Sequence, residues 1–208
     1  MKKTLISLTS IVIVLSFTLN SQAGGDMKFP IQISYVGGLG DVYDLYIDNL
    51  EDDGYIVDSK FYVPIAISFH PFYEFDFGLR IGGGVGPIML VYVSGPDVSY
   101  FDLPLNFHVG YTIIPKSPVS PFVKTGFAYH VNTGEYLKSS TPGLLLAGGV
   151  DFLRTKKVSF GFEVAKDFSE ATFEDYTADS YNYETGRWED GEKKINTGGL
   201  TIGIFVRF

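Results

Sequence analysis

Cysteine is absent from the 208 residues, so no disulfide holds this fold. Cations are in short supply: 16 Lys and Arg stand against 24 Asp and Glu, for a formal charge of −8. A chain that acidic is a poor partner for nucleic acid. Long apolar runs are also missing beyond the first twenty or so residues. No transmembrane helix is therefore predicted in the body of the chain. Stability must come from extensive burial or from a bilayer.

The one apolar run lies at the start. Lys2 and Lys3 form a positive n-region, roughly Leu5 to Leu19 is apolar, and Ser21-Gln22-Ala23 puts small residues where a signal peptidase reads. This is the pattern of a cleavable signal peptide, with cleavage expected after Ala23. No Cys follows the run, which excludes a lipoprotein anchor. The division expected is residues 1–23 as signal peptide and 24–208 as one domain. Without Lys2 and Lys3 the mature charge becomes −10, from 14 cations and 24 acids.

Phe and Tyr are plentiful, at 18 and 14, and Gly reaches 24. Aromatics suit the rims of a membrane barrel, and Gly lets strands close tightly. Periodicity of two runs through nearly the whole chain. From Leu103 to Ile113 every odd position is apolar, while Pro104, Asn106, His108, Gly110 and Thr112 fill the even ones. The same alternation marks 31–35, 61–69, 74–82, 123–131, 144–152, 158–164 and 200–208. One face is branched or aromatic and the other polar or small, as lipid outside and a polar lumen inside require. Without a spanning helix, only a closed barrel satisfies every backbone polar group in a membrane. The prediction is all-β: an up-and-down antiparallel transmembrane barrel of about eight strands. A soluble barrel or β-sandwich fits less well, because so many large side chains pointing inward would overfill the interior of a barrel this small.

The connections alternate. Segments near 40–54, 94–100, 132–142 and 169–194 read as long or polar loops facing outward. Those near 70–73, 114–119 and 154–157 read as short periplasmic turns. Leu200, Ile202, Ile204, Val206 and Phe208 share one face and end on an aromatic. That ending resembles the C-terminal signal of outer-membrane barrels, which the barrel-insertion machinery reads.

Together, Ser21-Gln22-Ala23, the alternating segments and Gly203-Ile204-Phe205-Val206-Arg207-Phe208 resemble the small outer-membrane barrels of the OmpX-like, opacity-type and OmpA-barrel group. The resemblance is architectural and spans the mature chain. It implies the outer membrane of a Gram-negative bacterium, contact with lipid and lipopolysaccharide, a barrel without an open pore and outward loops. It also implies a role in adhesion, recognition or envelope integrity, which the fold does not choose between.

The lumen face carries Glu74, Asp76, Arg80, Asp102, His108, Lys124, His130, Asp151, Glu163 and Arg207. Charges in so narrow a space must pair, so a plugging network is expected. The alternatives are an ion path, which would make the protein a narrow channel, or a lipid A-modifying enzyme centred on His130. The second needs a nucleophile beside the histidine. The resemblance to those small barrels that deacylate lipid A would imply a serine two residues after the histidine, where Asn132 stands; Glu135, Ser139 and Ser140 lie nearby. A non-enzymatic protein without cofactor or metal is the expectation, as a monomer. Gly82-Gly83-Gly84-Val85-Gly86 lacks the Lys-Ser/Thr and helix of a phosphate loop. Asp44, Asp48, Glu51, Asp52 and Asp53 read as a solvated acidic loop without EF-hand spacing. Phe173, Tyr176, Tyr181, Tyr183 and Trp188 sit among acids in the last loop and form the candidate recognition surface for a host or cell-surface ligand. The alternative is that they pair across extended strands.

Overall fold

A computed structural model describes residues 24–57, 64–93, 97–178, 180–182, 187–189 and 191–208. The signal-peptide segment 1–23 lies outside the described residues. Strands are β1 (Gly25–Lys28), β2 (Pro30–Val36), β3 (Ile65–Phe69), β4 (Phe72–Phe75), β5 (Leu79–Val93), β6 (Val98–Thr112), β7 (Val119–Gly134) and β8 (Leu137–Thr141). They continue as β9 (Gly143–Phe152), β10 (Ser159–Asp167), β11 (Glu170–Glu174), β12 (Ser180–Asn182), β13 (Arg187–Glu189), β14 (Glu192–Ile195) and β15 (Gly199–Arg207). Helix α1 (Gly38–Asp52) follows β2, and a single 3-10 turn, Tyr176–Ala178, follows β11.

The sheet closes on itself. Antiparallel pairing runs β2–β3–β5–β6–β7–β9–β10–β15 and returns from β15 to β2, which makes eight staves. β1 and β4 extend the first two staves toward the end that carries the chain termini: Gly25 opposes Phe75 in the same register that sets Ile31 against Phe69.

Alternation sorts the side chains. Ile31, Ile33, Phe107, Val109, Tyr111, Phe127, Tyr129, Phe160, Phe162, Ile202 and Ile204 are exposed on the outer wall, with Phe127 at 66% and Ile204 at 67%. Burying such a side chain is worth about 1.5–3 kcal/mol. Left in water, this continuous belt would forgo several tens of kcal/mol, more than a domain's whole stability. Lipid covers it at no such loss.

A bilayer needs about 9–11 residues of tilted strand. β5, β6 and β7 have 15, 15 and 16 residues, so they run well past it. β8, β11 and β14 prolong β9, β10 and β15 at the same end, as a three-stranded sheet. These extensions and α1 build a dome. Its core joins Leu39, Val42, Leu45, Tyr46, Ile47 and Leu50 of α1 to Met89, Val91, Tyr100, Tyr136, Phe173 and Ile195.

Three sequence expectations are corrected here. The stretch 40–54 is not a loop but the greater part of helix α1, Gly38–Asp52, and the turn that ends it. Its acids read as loop, yet Leu39, Val42, Tyr43, Tyr46, Ile47 and Leu50 recur at helical spacing and are buried, while Asp41, Asp44 and Asp48 face out. Residues 70–73 are not a turn but a kink between β3 and β4, since Pro71 has no amide hydrogen to continue a ladder. The turn falls at 76–78 instead, with Gly78 at φ 101°. Finally, 132–142 is not a long loop: β7 and β8 are joined by Glu135-Tyr136 alone.

Candidate functional site

The lumen is filled in layers. Nearest the termini, Arg80 donates to Asp151, which also accepts from Arg207 Nη1 at 2.9 Å. Arg80 Nε donates to Thr112 Oγ1 at 2.6 Å and to Glu74 Oε1 at 3.2 Å. Its guanidinium is sandwiched between Phe72 and Phe122, at 4.9 and 4.4 Å from the ring centres. Arg154 Nη1 reaches Glu74 Oε2 at 2.9 Å and Asp151 Oδ2 at 3.6 Å. Three guanidiniums thus converge on two carboxylates, and burial forces the pairing.

In the middle layer Lys124 Nζ meets Glu163 Oε2 at 2.8 Å. His70 Nε2 and Asn106 Nδ2 both approach the carbonyl of Gly86. Gly86 has φ 100°, and a Cβ on Gly84 would strike the Phe69 carbonyl, so the glycine run serves a bulged, tightly apposed β5. His108 is buried 6.2 Å from His70, ring to ring. Two voids of about 20 Å³ each border these residues. Each has room for about one water molecule, too little for an open conduit.

In the upper layer His130 Nδ1 lies 2.7 Å from Asp102 Oδ2 and His130 Nε2 3.1 Å from Asp167 Oδ2. Asp167 also accepts from the hydroxyl and amide of Ser169 at 2.6 and 2.8 Å. Both ring nitrogens face carboxylates, which accept hydrogen bonds when ionised. Among the described residues no hydroxyl is hydrogen-bonded to a histidine.

Of the sequence-derived lumen set, Glu74, Arg80, Asp102, His108, Lys124, His130, Asp151, Glu163 and Arg207 all point inward, and only Asp76 does not. Asp76 is exposed in the 76–78 turn, because the strand expected over 74–82 is broken there. Arg154 joins the network from a turn, where alternation carries no signal.

Above the network stands the dome. Asn49, fully buried, clamps its two halves: Nδ2 donates to the Glu174 carbonyl at 2.8 Å, and Oδ1 accepts from the Tyr176 amide at 2.9 Å. Tyr46 is ringed edge-on by Tyr136, Phe173 and Tyr100, with centroids 4.9, 6.3 and 6.4 Å away. Burial pushes the Tyr46 hydroxyl above its usual range, and burial together with the nearby Asp53 carboxylate pushes Tyr136 up to about 12. Two of the five recognition candidates therefore serve the interior. Phe173 is 0% exposed, and Tyr176 packs against Tyr136 at 5.7 Å. Tyr181 and Trp188 oppose each other in the β12–β13 hairpin, while Tyr183 lies outside the described residues. The C-terminal positions Leu200, Ile202, Ile204, Val206 and Phe208 form an outward stripe.

A closed antiparallel barrel with an apolar belt, a paired polar lumen and long extensions at one end defines a small outer-membrane β-barrel protein. Among solved structures, the outer membrane protein OprG from Pseudomonas aeruginosa superposes with a TM-score of 0.50 at 11% identity, over 89% of this chain and 97% of that one. The N-terminal β-barrel domain of Pseudomonas aeruginosa OprF gives 0.45 at 8% identity, over 90% and 100%. Neisserial surface protein A gives 0.42 at 13%, over 88% and 97%. The likeness to OprG is one of fold. No family model matches the sequence, and no curated protein does.

Proposed function

We propose that this is a non-enzymatic surface barrel of the Gram-negative outer membrane, closed to ions, whose extracellular dome recognises a ligand on a host or on a neighbouring cell. The carrying observation is the dome itself. α1, the Tyr46 aromatic cluster and the Asn49 clamp give the far end a hydrophobic core of its own. A surface built on a packed core loses little freedom on binding, which favours affinity. The short turns and termini face the periplasm in this reading. The β12–β13 hairpin, bearing Tyr181 and Trp188, is inserted in the chain between β11 and β14 of the dome.

A lipid A-modifying role finds less support, because His130 is held between two carboxylates and faces the lumen. An open channel finds less support, because the voids are single-water in size.

The test displays the intact protein, and a version with residues 176–190 replaced by a short Gly-Ser turn, on otherwise identical cells. The replacement keeps β11 paired with β14. Attachment to host matrix proteins and to sister cells should fall at least tenfold while the barrel still assembles. Equal attachment would refute the hairpin as the recognition element.

A further inference from the structure

The mouth at the terminus-bearing end is a cavity of about 410 Å³, walled by β1, β4 and the turns at 115–116 and 154–157. Five cations line it, against three carboxylates. Two of those carboxylates are already engaged: Asp26 with Lys28 at 3.3 Å, and Glu74 with Arg80 and Arg154. Arg154 forms part of the wall. Its side chain is 8% exposed, and it is held in place by Nε donating to the Pro115 carbonyl at 2.7 Å. Its Nη2 makes no hydrogen bond among the described residues. Lys116, Lys156 and Lys157 are exposed and form no ion pair among the described residues.

The surplus of positive charge is local. The chain as a whole is acidic, and α1 turns Asp41, Asp44 and Asp48 outward at the opposite end. A fixed guanidinium whose Nη2 remains to donate, ringed by exposed ammoniums, suits a phosphate, whose several oxygens accept from both kinds of donor. The rim beside these cations is apolar. Ile113, Ile114, Leu153 and Val158, which flank the two lysine-bearing turns, are about half exposed and continue the lipid belt.

We propose that this mouth binds phosphate, supplied by the headgroup of an anionic phospholipid in the inner leaflet. The lysines sit at headgroup depth when the apolar flanks sit in the acyl layer. The site rests on the orientation given above, and the two are tested apart. Labelling of Thr155→Cys on intact cells by an impermeant maleimide would refute the orientation alone.

The binding test uses the full barrel and a triple variant, Lys116→Gln/Lys156→Gln/Lys157→Gln, which spares Arg154 and the lumen network. Both are placed in phosphatidylcholine nanodiscs containing a minor fraction of phosphatidylglycerol. Lipids retained after extraction are identified by native mass spectrometry. A second arm titrates inorganic phosphate into lipid-free protein in a maltoside detergent and follows the ³¹P linewidth. The intact protein should retain phosphatidylglycerol preferentially, and the triple variant should bind it on the order of a hundredfold more weakly. A variant with Lys193→Gln/Lys194→Gln in β14, on the dome, should retain it as the intact protein does. A linewidth response lost in the triple variant, without lipid preference, would keep the phosphate site and assign it to free phosphate. Equal lipid retention by the intact and triple proteins, with equal phosphate response, would overturn the proposal. A heat-dependent gel shift in the triple variant establishes that it is folded.

Discussion

Asp151 accepts from Arg80 and Arg207 and lies within 3.6 Å of Arg154, with no exposed surface of its own. Replacing it with Asn keeps the shape and strands buried guanidiniums without their charge partner. Such losses cost about 3–5 kcal/mol, so Asp151→Asn should lower the urea midpoint of the folded barrel in liposomes by a corresponding amount. An unchanged midpoint would mean that the three arginines are satisfied elsewhere. Asn49→Ala removes two part-buried hydrogen bonds between α1 and the last loop. It should weaken the dome by about 1–3 kcal/mol and expose the segment near 175–191 to protease, with no change in barrel assembly. Gly84→Val would drive a branched side chain into the Phe69 backbone, and the protein should fail to reach the folded, heat-modifiable form. At this scale alternation made most lumen residues legible, because a strand gives each position one of two faces. Arg154 and Asp76 escaped because turns have no such parity, and Asn49 escaped because its partners are 125 and 127 residues away in sequence.

Helix α1 is the element that the acidic run concealed. Its last turn carries no basic residue, and Glu51, Asp52 and Asp53 oppose the negative end of the helix dipole. Local electrostatics do not hold it together; the burial of its apolar face does, together with a C-terminal turn in which the Tyr55 amide bonds the Leu50 carbonyl at 3.0 Å past Gly54. A peptide of residues 37–55 should accordingly show little helix by circular dichroism in water. A strongly helical peptide would contradict this account of why α1 forms. The tyrosines add a pH dependence. In the opened dome Tyr46 and Tyr136 ionise near pH 10, and in the closed dome both ionise later. The closed state's advantage is thus fully present below about pH 10. It should be lost progressively as pH rises toward 12, read as faster proteolysis of the 169–194 segment over that window.

For the molecule as a whole, the sequence alternation already implied a barrel of about eight staves with a polar interior. What it could not imply was how the far end is finished. Extensions β8, β11 and β14 are short and lie in polar segments that read as loop, and Phe173 looks no different from a surface aromatic until α1 is packed on it. Whole-molecule behaviour follows from both layers of closure. Unboiled and boiled samples should migrate differently on a gel, and the reconstituted barrel should give no steady conductance in a planar bilayer. The central claim is that the barrel ends in a preformed dome seated on α1, and amide hydrogen exchange in nanodiscs tests it most directly. Amides of residues 42–50 should exchange as slowly as those of β6 and β7. Exchange of that segment within seconds, beside protected barrel strands, would show an open end without a dome and would contradict the recognition role built on it.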